Sequence, residues 1–172
     1  MKKSKQKNRA FTLVELLLYI SISSIIILVT SGYLSIFLET QVKNETVREV
    51  EQQGAFAMYS ITQALSNAES ITSPVIGTNQ TTLSIQTFSP ANNPTVFSVD
   101  AGTLQIKEGS ANAVALHNPR IQISNLLFKN LSRTGTAGII QVSFLVTYLN
   151  NSGRYEYSFE KQFISSAALH QP

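Results

Sequence analysis

Cysteine and tryptophan are absent from this chain, aspartate occurs once, at Asp100, and histidine twice, at His117 and His170. Without cysteine there is neither a disulfide framework nor a thiolate metal site, so a domain outside the cytosol must hold itself together by packing. A single aspartate rules out an aspartate-rich calcium loop. The two histidines, one before Asn118-Pro119 at a predicted turn and one two residues from the end, form no ligand cluster. No metal and no cofactor is expected. Glu156 and Glu160 alternate on a predicted strand face, where solvated or cross-strand roles are ordinary, so no acid and base pair emerges for catalysis. Gly135-Thr136-Ala137-Gly138 has too few glycines and no lysine for a phosphate loop and reads as a flexible loop. The Asn-x-Ser/Thr matches at Asn44, Asn79, Asn130 and Asn150 are what chance delivers in a chain rich in those residues. The expectation is a protein that is not an enzyme; a membrane-bound hydrolase would need converging acid and base groups.

Charge is also scarce where it matters most. From Phe11 to Leu38 the only charged side chain is Glu15, and no proline occurs before Pro74. At about 1.5 Å per residue this run makes a helix of roughly 40 Å, enough to cross a bilayer. An ionisable group inside such a helix costs on the order of 3 kcal/mol, so Glu15 is a candidate functional residue, the plain alternative being a carboxylate at headgroup level. Residues 1–10 carry Lys2, Lys3, Lys5, Lys7 and Arg9 and no acid, which marks a cytoplasmic leader by the positive-inside rule. An ordinary secretory signal has an apolar core of about 7–15 residues, whereas this one is about twice as long, and Thr30-Ser31-Gly32 is a poor cleavage site. The formal charge of +3 and pI near 9.2 come from that leader, which holds five of the 13 basic residues. Without the leader acids outnumber bases, and direct nucleic-acid binding loses its compositional support.

Ala10-Phe11-Thr12-Leu13-Val14-Glu15-Leu16-Leu17 resembles the processing site of type IV prepilins and type II secretion pseudopilins, whose usual form is Gly-Phe-Thr-Leu-Val-Glu-Leu-Leu. The departure is Ala10 where the family has Gly, which bears on the efficiency of cleavage more than on its position. The resemblance covers roughly the first 40 residues and beyond them concerns architecture only. It implies that a prepilin peptidase and methyltransferase cuts between Ala10 and Phe11 and methylates the new Phe11 amine. It also implies that Glu15 pairs with the Phe11 amine of an adjacent subunit during assembly. The implied partners are other pilin or pseudopilin subunits and an inner-membrane assembly platform. The implied location is the bacterial inner membrane, as a single pass with the N-terminus in the cytoplasm, and then an extracytoplasmic filament. That filament serves a pilus, type II secretion, or DNA uptake in competence. The tip-most pseudopilin type lacks the acid, so Glu15 argues against that role. A sheet of about six or seven strands without an aspartate-rich calcium loop points to a minor subunit over a major one. The rival class is a membrane-anchored extracytoplasmic binding module or adhesin that does not polymerise.

Taken in order, the chain divides into a leader over 1–10, a membrane and assembly helix over 11–38, an amphipathic continuation over 39–70 and an extracytoplasmic β domain over 71–172. The predicted fold class is α+β, a long N-terminal helix packed against a C-terminal antiparallel sheet. Val47, Val50, Ala57, Ile61, Ala64, Leu65 and Ala68 follow helical spacing, with Phe56 and Met58 widening the stripe. Glu45 and Glu49 lie with Arg48 on a face that reads as solvated. Gly32 and Gly54 are weak points, each costing about 1 kcal/mol relative to Ala. For Gly32 two readings stay open, a hinge and close packing against a neighbouring helix. After Ser70 the pattern alternates, predicting strands over 81–88, 95–100 and 103–107, a short one over 112–116, and long ones over 120–128, 138–149 and 154–164. Ala101-Gly102 and Asn150-Asn151-Ser152-Gly153 are the expected hairpin turns. On the last strand Tyr155, Tyr157 and Phe159 are expected on one face and Arg154, Glu156, Ser158 and Glu160 on the other. Ile140, Val142, Phe144, Val146 and Tyr148 are expected to share a face that covers the helix stripe.

Overall fold

An uninterrupted run of helix formers with no proline forms one helix, α1, spanning Leu13–Ser66, in a computed structural model that describes residues 12–136 and 138–170. It ends at Ser66, four residues short of the expected 70, because Ala68–Ser73 is taken up as a strand instead. The chain forms two compact units, Met1–Gln41 and Val42–Pro172. In the first, every residue from Leu13 to Leu38 is exposed, and α1 is the one helix among the described residues long and apolar enough to cross a membrane.

In the second unit, Thr46, Val50, Gly54, Ala57, Ile61 and Leu65 are buried on α1, three or four residues apart, so they form one stripe. Val50, Ala57, Ile61 and Leu65 are the core of the expected stripe. Phe56 is not part of it: its ring is 53% exposed, because it projects from the opposite side of the helix.

Among the described residues nine strands follow the helix and build the cover of its stripe: β1 (Ala68–Ser73), β2 (Asn79–Gln80), β3 (Leu83–Thr87), β4 (Thr95–Asp100), β5 (Thr103–Glu108), β6 (Val114–Ala115), β7 (Ile121–Asn130), β8 (Ile139–Tyr148) and β9 (Glu160–Ala168). They make two antiparallel sheets, in the orders β1-β3-β4-β5-β6 and β2-β7-β8-β9, where one sheet was expected. The chain leaves the first sheet after β1, adds β2 to the edge of the second, and returns for β3. Leu83, Ile85, Phe97 and Leu104 from the first sheet and Ile123, Phe128, Ile140 and Val142 from the second are fully buried with the helix stripe. Each such side chain contributes about 1.5–3 kcal/mol on leaving water, which makes this core the main source of stability in a chain without disulfides.

The β4–β5 hairpin forms as predicted, Asp100 facing Thr103 across Ala101-Gly102 with both turn residues at positive φ. A Cβ at Gly102 would also meet the Gln122 side chain at 2.5 Å. In β8, Ile140, Val142, Phe144 and Val146 are buried on one face, as alternation predicts. Strand β9 departs from expectation. It begins at Glu160, and the residues assigned to its start form a 3-10 turn, Tyr155–Tyr157, so Glu156 is buried and Tyr155 is exposed, the reverse of the expected faces. The physical reason is a local loop. The Asn150 amide donates to the Arg154 carbonyl at 2.7 Å, the Ser152 hydroxyl donates to Asn150 Oδ1 at 3.1 Å, and Ser158 N–H donates to Tyr155 O at 3.0 Å. These bonds satisfy the backbone without a ladder.

Gly54 owes its place to β9. Phe163 stacks on Phe144, ring centroids 5.6 Å apart, and lies so close to the helix that a Cβ on Gly54 would sit 2.2 Å from its ring. Beside it Lys161 Nζ meets Glu51 Oε1 at 2.6 Å.

Candidate functional site

The start of α1 is built by Thr12. Its hydroxyl accepts the Glu15 N–H at 3.3 Å and its carbonyl accepts the Leu16 N–H at 3.2 Å, so Thr12 caps the helix. Glu15 therefore sits in the first turn, where a carboxylate also meets the positive end of the helix dipole. The Thr-x-x-Glu spacing is a recognisable capping signal, whereas in the sequence Glu15 stands out by its lone charge and the family resemblance and Thr12 by the resemblance alone. Thr12, as the cap, is the contributor that sequence reasoning missed.

Beyond Glu15, several hydroxyls of the first unit bond back to the helix's own carbonyls. Ser21, Ser24 and Thr30 donate their hydroxyls to Leu17 O, Ile20 O and Ile26 O, each at 2.8 Å, and Ser35 donates to Ser31 O at 3.3 Å. A hydroxyl bonded four residues back has no need of water, which suits a helix in lipid. Glu15 is left as the single formal charge between Leu13 and Leu38. At Gly32 the helix is unbroken, and an added Cβ would meet nothing within 4 Å. Lys2, Lys3, Lys5, Lys7, Arg9, Ala10 and Phe11 lie outside the described residues.

In the second unit, Glu49 is not the solvated acid that was expected. Its side chain is 16% exposed, accepts the Asn118 amide at 2.6 Å and pairs with Arg120 at 3.6 Å, tying α1 to the segment between β6 and β7. Next to it His117 Nε2 accepts the Leu104 N–H at 3.0 Å and Nδ1 lies 2.8 Å from Asn118 O, so both ring nitrogens are engaged with backbone. Glu156 is held by Arg154 Nη2 at 2.7 Å, while its second carboxylate oxygen is buried with no hydrogen-bond partner among the described residues. The Arg154 hydrogen bond first, and a backbone N–H of Glu156 second, hold that carboxyl below its ordinary value. Among the described residues no group of three His, Cys, Asp or Glu side chains is placed to hold a metal.

The geometry thus defines an α+β chain with an apolar, acid-bearing helix fit for a membrane anchor. The family model for the prokaryotic N-terminal methylation motif matches residues 5–31, so the chain carries a prepilin-type signal. No curated protein and no solved structure matches the chain.

Proposed function

We propose that this chain is a subunit of a type IV pilus or a secretion pseudopilus, processed between Ala10 and Phe11, methylated on the Phe11 amine and assembled through its N-terminal helix. The observation that carries the reading is Glu15, a lone carboxylate in the first turn of an otherwise uncharged apolar helix, inside the matched methylation motif. Lys2, Lys3, Lys5, Lys7 and Arg9 hold the N-terminus in the cytoplasm while the sheet domain folds outside. Methylation leaves the Phe11 amine positive, so its attraction to a carboxylate survives. As the helix moves from lipid into the filament, Glu15 pairs with the Phe11 amine of the adjacent subunit. At low dielectric a paired charge is far cheaper than a lone one, so the pair favours one register of entry. The partners are the peptidase, the inner-membrane assembly platform and other subunits. A minor role is the finer reading; a domain of nine strands in two sheets, larger than a bare stalk cover needs, supports it. Counting this chain against the bulk subunit in sheared filaments tests that point.

The decisive measurement is the N-terminal mass of the protein recovered from membranes, with and without the peptidase. A start at Phe11 carrying one methyl group is the expected result. A start at Met1 would remove the assembly reading and leave a fixed membrane-anchored binding module.

A further inference from the structure

The sheet β2-β7-β8-β9 carries opposite features at its two ends. At the end where Ile121 faces Tyr148, a cleft of about 430 Å³ is lined by Glu45, Arg120, Tyr148, Asn151, Ser152 and Tyr157, among others. Arg120 is committed to Glu49. Glu45 is exposed and has no ion pair among the described residues. Tyr148 stacks on Tyr157, centroids 5.9 Å apart, and the Arg154 guanidinium lies 5.9 Å from the centre of the Tyr157 ring, so this aromatic pair already accommodates one planar cation. Burial first and the Glu49 carboxylate second raise the Tyr148 phenol above its ordinary value, with Arg120 opposing and Tyr157 and Glu45 adding to the rise.

The other end, where Asn130 faces Ile140, presents a cation. Thr136 N–H and the Thr136 hydroxyl both donate to Arg133 O, at 3.1 and 2.9 Å, closing a turn that leaves the Arg133 side chain exposed. Arg133 has no ion pair among the described residues, and Lys129 is exposed on the strand before it. Glu69 is the acid lining the neighbouring recess. The ten residues of β7 separate the two ends by about 30 Å.

We propose that the Arg133 turn of one copy seats in the Glu45–Tyr148 cleft of a second copy, a head-to-tail contact between sheet domains. A guanidinium fits both halves of the cleft, forking onto a carboxylate and lying against a ring. Such a contact joins different patches, so it repeats along a filament instead of closing on itself. It rests on the reading of this chain as a filament subunit, and needs only two copies in succession, whatever their share of the filament.

With no native cysteine to interfere, Glu45→Cys in one tagged full-length copy and Arg133→Cys in a second can be joined by a short bis-maleimide, in membranes and in sheared filaments. The expected result is a link between the two tags well above that from a Glu45→Cys and Lys107→Cys pair. In cysteine-free copies, Glu45→Arg or Arg133→Glu alone should lower co-recovery of the tags about tenfold, and the two together should restore it. No link above the control, or no rescue by the double exchange, overturns the contact. Failure of the link in chains that start at Phe11 and enter filaments overturns it while leaving the assembly reading in place. A link between chains that still start at Met1 upholds the contact and removes the assembly reading.

Discussion

Glu15, Gly54 and Glu156 each answer to a different neighbour, and their variants should separate three roles. Glu15→Ala removes a first-turn carboxylate but leaves the Thr12 cap, so membrane insertion should be unchanged while incorporation into filaments falls. Normal incorporation of that variant would show that the acid is not a docking group. Gly54→Ala sets a helix-propensity gain of about 1 kcal/mol against overpacking on the Phe163 ring, which costs about 1–3 kcal/mol. Because Phe163 is pinned by Phe144, the clash should win and the urea midpoint should drop. Combining it with Phe163→Ala should cost less than the two changes summed. For Glu156 the folded carboxyl is held below its ordinary value, so the unfolded chain binds more protons as pH falls. Its contribution is complete above the unfolded value and is lost as pH drops through the folded one. Thermal midpoints should therefore fall below about pH 4.5, and Glu156→Gln should flatten that decline. An unchanged pH profile in the Gln variant would deny the Arg154 contact its effect.

At the scale of elements, α1 was legible almost to its ends, because a long stretch without proline and a 3-4 stripe leave no other regular structure open to it. β1 was not legible. Only Asn67 separates it from the helix, and Ala68–Ser73 offers one branched apolar residue, so there was no alternation to read. Strand β9 was started too early because the alternation of Tyr155, Tyr157 and Phe159 is also compatible with a 3-10 turn stabilised by its own loop. Periodicity cannot distinguish a ladder from side-chain hydrogen bonds. Gly32 is an element-scale case of its own. Among the described residues nothing occupies its Cβ position, so Gly32→Ala should strengthen amide protection of the helix in micelles by about fivefold, matching about 1 kcal/mol. Strong protection at Gly32 in filaments of the unaltered chain would rule out local melting there.

For the molecule as a whole, the sequence by itself determined the apolar helix, its single acid, the basic leader and the methylation motif, since these depend on composition and order along the chain. The same holds for the α+β class and the inner face of β8, which follow from local periods of 3.6 and 2. What only tertiary structure decided was the pairing of distant segments. The division of nine strands into two sheets, the crossing of β2 to the far edge, the burial of Glu49 against Asn118 and Arg120, and the approach of Phe163 to Gly54 all join residues far apart in sequence. The physical reason is that a helix or strand is specified by neighbours along the chain. Which polar group is buried, and which glycine must stay small, is specified by whatever the rest of the chain brings against it.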